Sequence, residues 1–295
     1  MIHKKIIGTG VALVTPFHEN GQVDFDSLRN LVNYVISGGV EFVVALGTTA
    51  ETATLTEFEK LDILDAVRAT VDGRCGLVVG AGGNNTASVV SFVKTLSSDK
   101  CDAILSVAPY YNKPNQRGIY AHFEAIASST SLPIILYNVP GRTSSNILPE
   151  TVIRLANDFQ NIVAIKEASG NLNQIMEIIQ NRQENFYVLS GDDALTLPIL
   201  SVGGDGVISV VANAYPDLFS SLVREMINGG DRYSALRNHY QLLEITNALF
   251  KDGNPAGIKA LLSIKGLLKN VLRLPMVPVQ EDLFKEMERL NKKIG

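Results

Sequence analysis

A lysine, two tyrosines, a pair of threonines and an arginine are the residues of this chain that could act together on a carbonyl compound. Lys166 closes the apolar run Asn161-Ile-Val-Ala-Ile-Lys166 and is followed by Glu-Ala-Ser-Gly170. An amine at the last position of a buried strand is costly, because burial disfavours its charged form. Snorkelling to water is the usual escape, and a short strand ending in a glycine turn leaves little room for it. A neutral amine attacks carbonyl carbons, so the functional reading is Schiff-base chemistry. The bland reading is a buried ion pair. No carboxylate ends a neighbouring strand run, whereas Tyr137 does, and this favours the nucleophile.

Tyr137 lies in Ile135-Leu-Tyr-Asn-Val-Pro-Gly-Arg-Thr143. It is either an aromatic that fills space or a phenol that serves the imine nitrogen. Forming and collapsing a carbinolamine moves several protons, and a tyrosine hydroxyl can ferry them. Thr49 and Tyr111 could extend such a relay by hydroxyl-to-hydroxyl hydrogen bonds. Arg142 follows a rigid Pro-Gly turn. It is a solvated loop arginine, or a planar fork that grips a carboxylate with two parallel bonds. Backbone N–H groups of Gly47-Thr48-Thr49 could form a nest for a second carboxylate.

Other features are expected to be structural. Gly80-Ala-Gly-Gly-Asn-Asn85 resembles a phosphate loop but lacks the Gly-Lys-Ser/Thr ending. Asp192 and Asp193 could hold a metal, and helix capping before Ala194 is the preferred reading. The histidines at 3, 18, 122 and 239 show no ligand spacing.

The elements that must position these groups follow from periodicity. Eight short apolar runs recur: Gly10–Thr15, Phe42–Gly47, Gly76–Gly80, Ala103–Val107, Pro133–Tyr137, Ile162–Lys166, Phe186–Ser190 and Gly206–Val210. They are continuous rather than alternating, as in parallel strands buried on both faces. Amphipathic stretches separate them, for example Phe25–Ser37 and, after the starter Thr56, Glu57–Thr70. Eight such units predict an α/β fold, a (β/α)8 barrel. A doubly wound sheet competes, but no dinucleotide fingerprint is present. Residues 1–225 are assigned to the barrel and 226–295 to a C-terminal helical extension packed on it. In such a barrel the catalytic groups stand at strand C-terminal ends and in the following loops. That rule selects Thr15, the 47–51 loop, Tyr110 and Tyr111, Tyr137, Arg142, Lys166 and the Gly191-Asp-Asp193 turn. Period-two alternation places Ile162, Ala164 and Lys166 on one face.

Composition agrees with a large core and argues against several other classes. Of 295 residues, 46% are hydrophobic and 19% charged, and the net charge of −4 is spread without a basic stripe. Nucleic acid is therefore not an expected partner. No apolar run has the length of a membrane span, and the first residues do not read as a signal peptide. Cys75 and Cys101 form no CxxC pair and read as reduced core residues, which fits a cytoplasmic protein.

Taken together, Gly47-Thr-Thr-Ala-Glu51, Ala108-Pro-Tyr-Tyr-Asn-Lys-Pro114, Tyr137-Asn-Val-Pro-Gly-Arg-Thr143, Ile165-Lys-Glu-Ala-Ser-Gly170, Ser190-Gly-Asp-Asp193, Gly206-Val-Ile-Ser209 and Leu272-Arg-Leu-Pro275 resemble the dihydrodipicolinate synthases. These belong to the wider pyruvate-dependent aldolases. The resemblance covers nearly the whole chain, and the Tyr-Asn-Val-Pro-x-Arg-Thr motif is the discriminating part. It implies condensation of pyruvate with L-aspartate 4-semialdehyde to 4-hydroxy-tetrahydrodipicolinate, for lysine and diaminopimelate synthesis. Lys166 would carry the imine. Tyr137, Thr49 and Tyr111 would relay protons, with Tyr111 reaching into a neighbouring subunit's site. Thr48 and Thr49 would grip pyruvate's carboxylate, and Arg142 that of the semialdehyde. Gly191 and Ile208 would shape the pocket through their backbones. Neither metal nor organic cofactor is implied, and the family is commonly a homotetramer, a dimer of dimers. Lysine-inhibited bacterial members bind lysine between subunits with two histidines and a glutamate. Glu57, Lys60 and Ser88 stand at the matching positions here, so weak or absent lysine inhibition is expected. The enzymatic alternative is another imine-forming lyase, acting on N-acetylneuraminate or a 2-keto-3-deoxy sugar acid. A non-catalytic keto-acid sensor is the alternative from another class, and a pyridoxal-phosphate lysine a third.

Overall fold

The computed structural model describes residues 5–294. Eight strands close into one parallel barrel in sequence order, with β8 pairing back onto β1. They are β1 (Gly8–Ala12), β2 (Phe42–Ala45), β3 (Gly76–Gly80), β4 (Ala103–Val107), β5 (Ile134–Asn138), β6 (Ile162–Glu167), β7 (Tyr187–Ser190) and β8 (Gly206–Ser209). Around them lie α1 (Phe25–Ser37), α2 (Glu57–Val71), α3 (Thr86–Val93), α4 (Gln116–Ala127), the short α5 (Pro140–Thr143), α6 (Pro149–Asp158), α7 (Leu172–Asn181), α8 (Thr196–Ser201) and α9 (Pro216–Ile227). The expected (β/α)8 barrel is the observed fold.

Local chemistry explains where the helices begin. Asp24, Asn85, Asn115 and Asn171 each accept a backbone N–H at the first turn of α1, α3, α4 and α7. Thr56 and Glu59 form a reciprocal capping box on α2. The strands are buried on both faces, which is why their sequences are continuous apolar runs. One set of side chains, including Phe42, Val78, Leu105, Ile135, Ala164 and Leu189, fills the barrel interior. The other set packs outward against the helices.

The expected phase of β6 needs one correction. Its register against β5 slips between Ile134 and Ile135, whose partners are Ile162 and Ala164. Val163 is the additional residue of this bulge. Ile162 consequently joins the outer layer, while Ala164 belongs to the interior. The inward phase of Lys166 is therefore set from Ala164 onward.

After α9 the chain is helical: α10 (Arg232–Phe250), α11 (Ala256–Ile264) and α12 (Glu281–Ile294). Every residue of α11 from Ala256 to Leu262 is buried, and the helix packs against both α10 and α12. Arg273 then ties the connection to α12 back onto the barrel. Its guanidinium bonds Glu59 and the carbonyls of Gly21 and Thr54.

Candidate active site

At the C-terminal end of the barrel a cavity of about 190 Å³ is lined by residues from several strands and their loops. Lys166 and Tyr137 face each other as register partners on adjacent strands. The lysine Nζ lies 4.3 Å from the centroid of the Tyr137 ring. Two lysines are buried among the described residues, and they differ in a telling way. Lys259 is ion-paired with Glu51 at 2.5 Å and donates to the Val271 carbonyl. Lys166, only 6% exposed, has no ion-pair partner among the described residues. No carboxylate among the described residues therefore holds the Lys166 amine away from a carbonyl compound in the cavity.

Thr48 and Thr49 sit in a tight 3-10 turn, Thr48–Ala50, directly after β2. Local bonds fix that turn. Thr15 Oγ1 donates to the Ala50 carbonyl and Thr52 Oγ1 to the Gly47 carbonyl, each at 2.8 Å. Both threonines line the cavity. Arg142 reaches it from α5, where Pro140 occupies the first helical turn. Gly191, after β7, lines the same space. A Cβ there would fall 2.7 Å from Ala168 Cβ and 3.0 Å from Lys166 Cε, so only glycine leaves the lysine its place.

Two expected residues are not brought to this cavity by the chain itself. Tyr111 is 88% exposed, has a left-handed backbone (φ 72°) and is not one of the residues lining the cavity. Ile208 lies in the barrel interior, and Val210, two residues on, is the part of that segment lining the cavity. Asp192 accepts the N–H groups of Ala194 and Leu195 in the turn before α8, whose N-cap is Leu195 with no side-chain bond, so the expected helix cap is a turn contact instead. Asp193 does something else. It is buried and accepts from the N–H groups of Val210 and Val211, joining the β7 and β8 loops. Burial raises its carboxyl to about 6.

Behind the strand ends a polar network holds the β5 and β6 loops together. Glu167 accepts from Asn138, Gln174 and the Ser169 N–H. Asn138 Oδ1 accepts the Ile147 N–H, just beyond the Arg142 turn. Burial pushes the Glu167 carboxyl up, against the pull of these bonds.

A profile of the dihydrodipicolinate synthetase family matches residues 5–294. The chain belongs to that family. Over 289 residues it is 49% identical to the 4-hydroxy-tetrahydrodipicolinate synthase of Flavobacterium psychrophilum, covering 98% of each chain. Among solved structures, the dihydrodipicolinate synthase of Thermotoga maritima superposes with a TM-score of 0.96 at 40% identity, covering 99% of both chains. A structure described as the first monomeric dihydrodipicolinate synthase variant gives 0.96 at 39% identity, covering 99% of this chain and 98% of that one.

Residues that sequence reasoning passed over also line the cavity. Asn254 and Phe250 come from the end of α10 and its connection to α11, outside the eight βα units. The only sequence signal is the break Asp252-Gly-Asn-Pro255 between two helical patterns. Among the described residues no group of three or more His, Cys, Asp or Glu side chains could hold a metal ion, and His3 lies outside them.

Proposed function

We infer that this chain is a lyase that joins pyruvate to L-aspartate 4-semialdehyde, giving 4-hydroxy-tetrahydrodipicolinate. Lys166 carries the reaction in this reading. The observation behind it is a buried lysine with no carboxylate partner among the described residues, set against a tyrosine ring inside a polar-lined cavity.

The lysine amine attacks the ketone carbon of pyruvate, and the carbinolamine loses water to give the imine. Loss of a methyl proton yields an enamine, whose carbon attacks the aldehyde carbon of the second substrate. That substrate's amine then attacks the imine carbon, releases the Lys166 amine and closes the ring. The lysine is regenerated, so one water is the only by-product. Tyr137 and Thr49 pass the protons of the carbinolamine steps. The Thr48–Thr49 turn offers N–H groups to pyruvate's carboxylate, and Arg142 offers its fork to the semialdehyde's carboxylate.

The relay is completed by Tyr111 of a second copy of the chain. Its exposure and left-handed backbone suit a side chain projecting into another subunit, and Phe58, 82% exposed, supplies apolar surface for such a contact. A homotetramer is the proposed assembly and the cytoplasm the proposed location. No helix among the described residues is long and apolar enough to cross a membrane. Residues 1–225 are the catalytic barrel and 226–295 the extension.

The purified protein should consume L-aspartate 4-semialdehyde only when pyruvate is present. It should show no comparable cleavage of N-acetylneuraminate or 2-keto-3-deoxy sugar acids. Preferred cleavage of a sugar acid would overturn the reading.

A further inference from the structure

The C-terminal extension is fastened to the turn after β2 by a buried ion pair that the proposed reaction does not use. Lys259 of α11 reaches Glu51 at 2.5 Å, with the two side chains 0% and 1% exposed. Glu51 closes the Thr48–Ala50 turn. Its backbone is left-handed (φ 54°), and its N–H donates to the Thr48 carbonyl at 3.2 Å. Both carboxylate oxygens are held from the extension, Oε1 by Lys259 and Oε2 by the Arg273 N–H at 2.9 Å. We propose that Glu51 and Lys259 are positioning residues for the substrate carboxylate: their pair fixes the Thr48 and Thr49 N–H groups in the cavity wall, so the extension sets the affinity for pyruvate.

The first bond inside the turn runs from the Ala50 N–H to the Gly47 carbonyl. The Thr48 and Thr49 N–H groups precede it and need a partner from outside the turn. Gly47, Thr48 and Thr49 all line the cavity, where a ligand carboxylate can supply that partner. Such a nest works only while its N–H groups converge, and a small tilt of the turn loses charge-assisted bonds. A left-handed backbone is disfavoured for a glutamate and persists where surrounding contacts over-determine it. The ion pair from α11 is the strongest of those contacts at Glu51.

The cation is itself fixed, so it cannot follow the turn if the turn moves. Lys259 Nζ donates to the Val271 carbonyl at 2.9 Å and lies 4.0 Å from the centroid of the Phe17 ring. The Arg273 guanidinium stands 4.4 Å from the same centroid. Gly257 lets α11 start hard against the end of α10, where a Cβ would meet the Leu249 carbonyl oxygen at 2.0 Å. Asn254, just before α11, adds a second tie, its Nδ2 donating to Thr49 Oγ1 at 2.9 Å. A buried ion pair adds little net stability over apolar residues of the same volume. Its geometric demand is strict, and here that demand falls on the wall of the cavity.

The proposal rests on the reading that this turn grips pyruvate's carboxylate, so methyl pyruvate, which keeps the ketone and lacks the charge, is the reference substrate. Lys259→Met combined with Glu51→Gln removes the pair and leaves no uncompensated charge. In this double variant the KM for pyruvate should rise about tenfold, with kcat changed by less than about threefold. Single-turnover borohydride trapping should show the preference for pyruvate over methyl pyruvate reduced by about the same factor. A pair that served stability alone would leave that preference untouched in a folded variant. Glu51→Asp keeps the charge and shortens the arm by one methylene. It should shift KM and preference in the same direction, and it decides the matter if the double variant does not fold. A wild type without preference for pyruvate over methyl pyruvate would remove the reading of the turn itself. A clear wild-type preference that the folded variants retain would overturn the inference alone. So would a loss shared equally by the two ketones.

Discussion

Removing the charge of Lys259 should be among the most damaging single changes outside the cavity. Its side chain is 0% exposed and that of Glu51 1%, so neither charge has water to fall back on. The Nζ lies 4.0 Å from the centroid of the Phe17 ring, which adds a cation–π contact. Burial lowers the amine to about 8, while Glu51 pulls it back up. Lys259→Met would leave the Glu51 carboxylate buried with the Arg273 N–H but without its paired ammonium. Breaking one side of a buried pair costs about 3–5 kcal/mol. At roughly 2 °C per kcal/mol for a chain of this size, Tm should fall by about 6–10 °C. Lys259→Met combined with Glu51→Gln should recover much of that loss, because replacing both charges removes the uncompensated one. Urea unfolding of wild type, both single variants and the double variant measures the coupling directly. A Lys259→Met cost below about 1 kcal/mol, or a double variant no more stable than the worse single, would refute the reasoning.

Tyr137→Phe keeps the ring beside Lys166 and removes the hydroxyl, so kcat should fall by about 10²–10⁴-fold with pyruvate binding largely kept. Steady-state kinetics check this, and a loss under about tenfold would count against the relay. The Arg273 guanidinium bonded to Glu59 holds that carboxyl at about 2, below its ordinary 4.5. The folded value is the lower one, so the stabilisation is present above about pH 4.5 and is lost as pH falls toward 2. Because the pair is partly open to water it is worth about 1 kcal/mol. Glu59→Gln should flatten the acid limb of stability in that window, and acid limbs that stay parallel for variant and wild type would contradict it. L-Lysine should inhibit weakly or not at all. Lys60, paired with Glu57 at 2.7 Å, brings a cation to the larger cavity of about 970 Å³ lined also by Asn84, Ser88 and Tyr110. Half-inhibition at low-millimolar lysine in the coupled assay would be the contrary result.

The barrel could be read from the sequence because its strands are buried on both faces and its helices carry their own start signals. Phe25–Ser37 was readable to the residue, and Gly76–Gly80 and Ala103–Val107 likewise. Lys166, Tyr137, Thr49 and Arg142 could be gathered because barrel strand ends converge on one face. What escaped depends on contacts between distant segments. The bulge at Val163 is a property of the β5–β6 pairing, and nothing in Ile162-Val-Ala-Ile marks it. Asp193 looked like a second cap because its role is set by Val210 and Val211 across the adjacent loop. Asn254 was hidden in a helical tail, since only the folded extension brings it to Thr49. The buried pair of Lys259 and Glu51 was hidden for the same reason.

Lys166 is the proposed imine-forming amine, and every later step of the reaction depends on it. Pyruvate and borohydride, followed by intact mass and peptide mapping, test this most directly. One reduced pyruvyl group per chain on the peptide containing Lys166, absent from Lys166→Ala, is the predicted result. An unmodified chain, or an adduct on the peptide of the paired Lys259 instead, would contradict it.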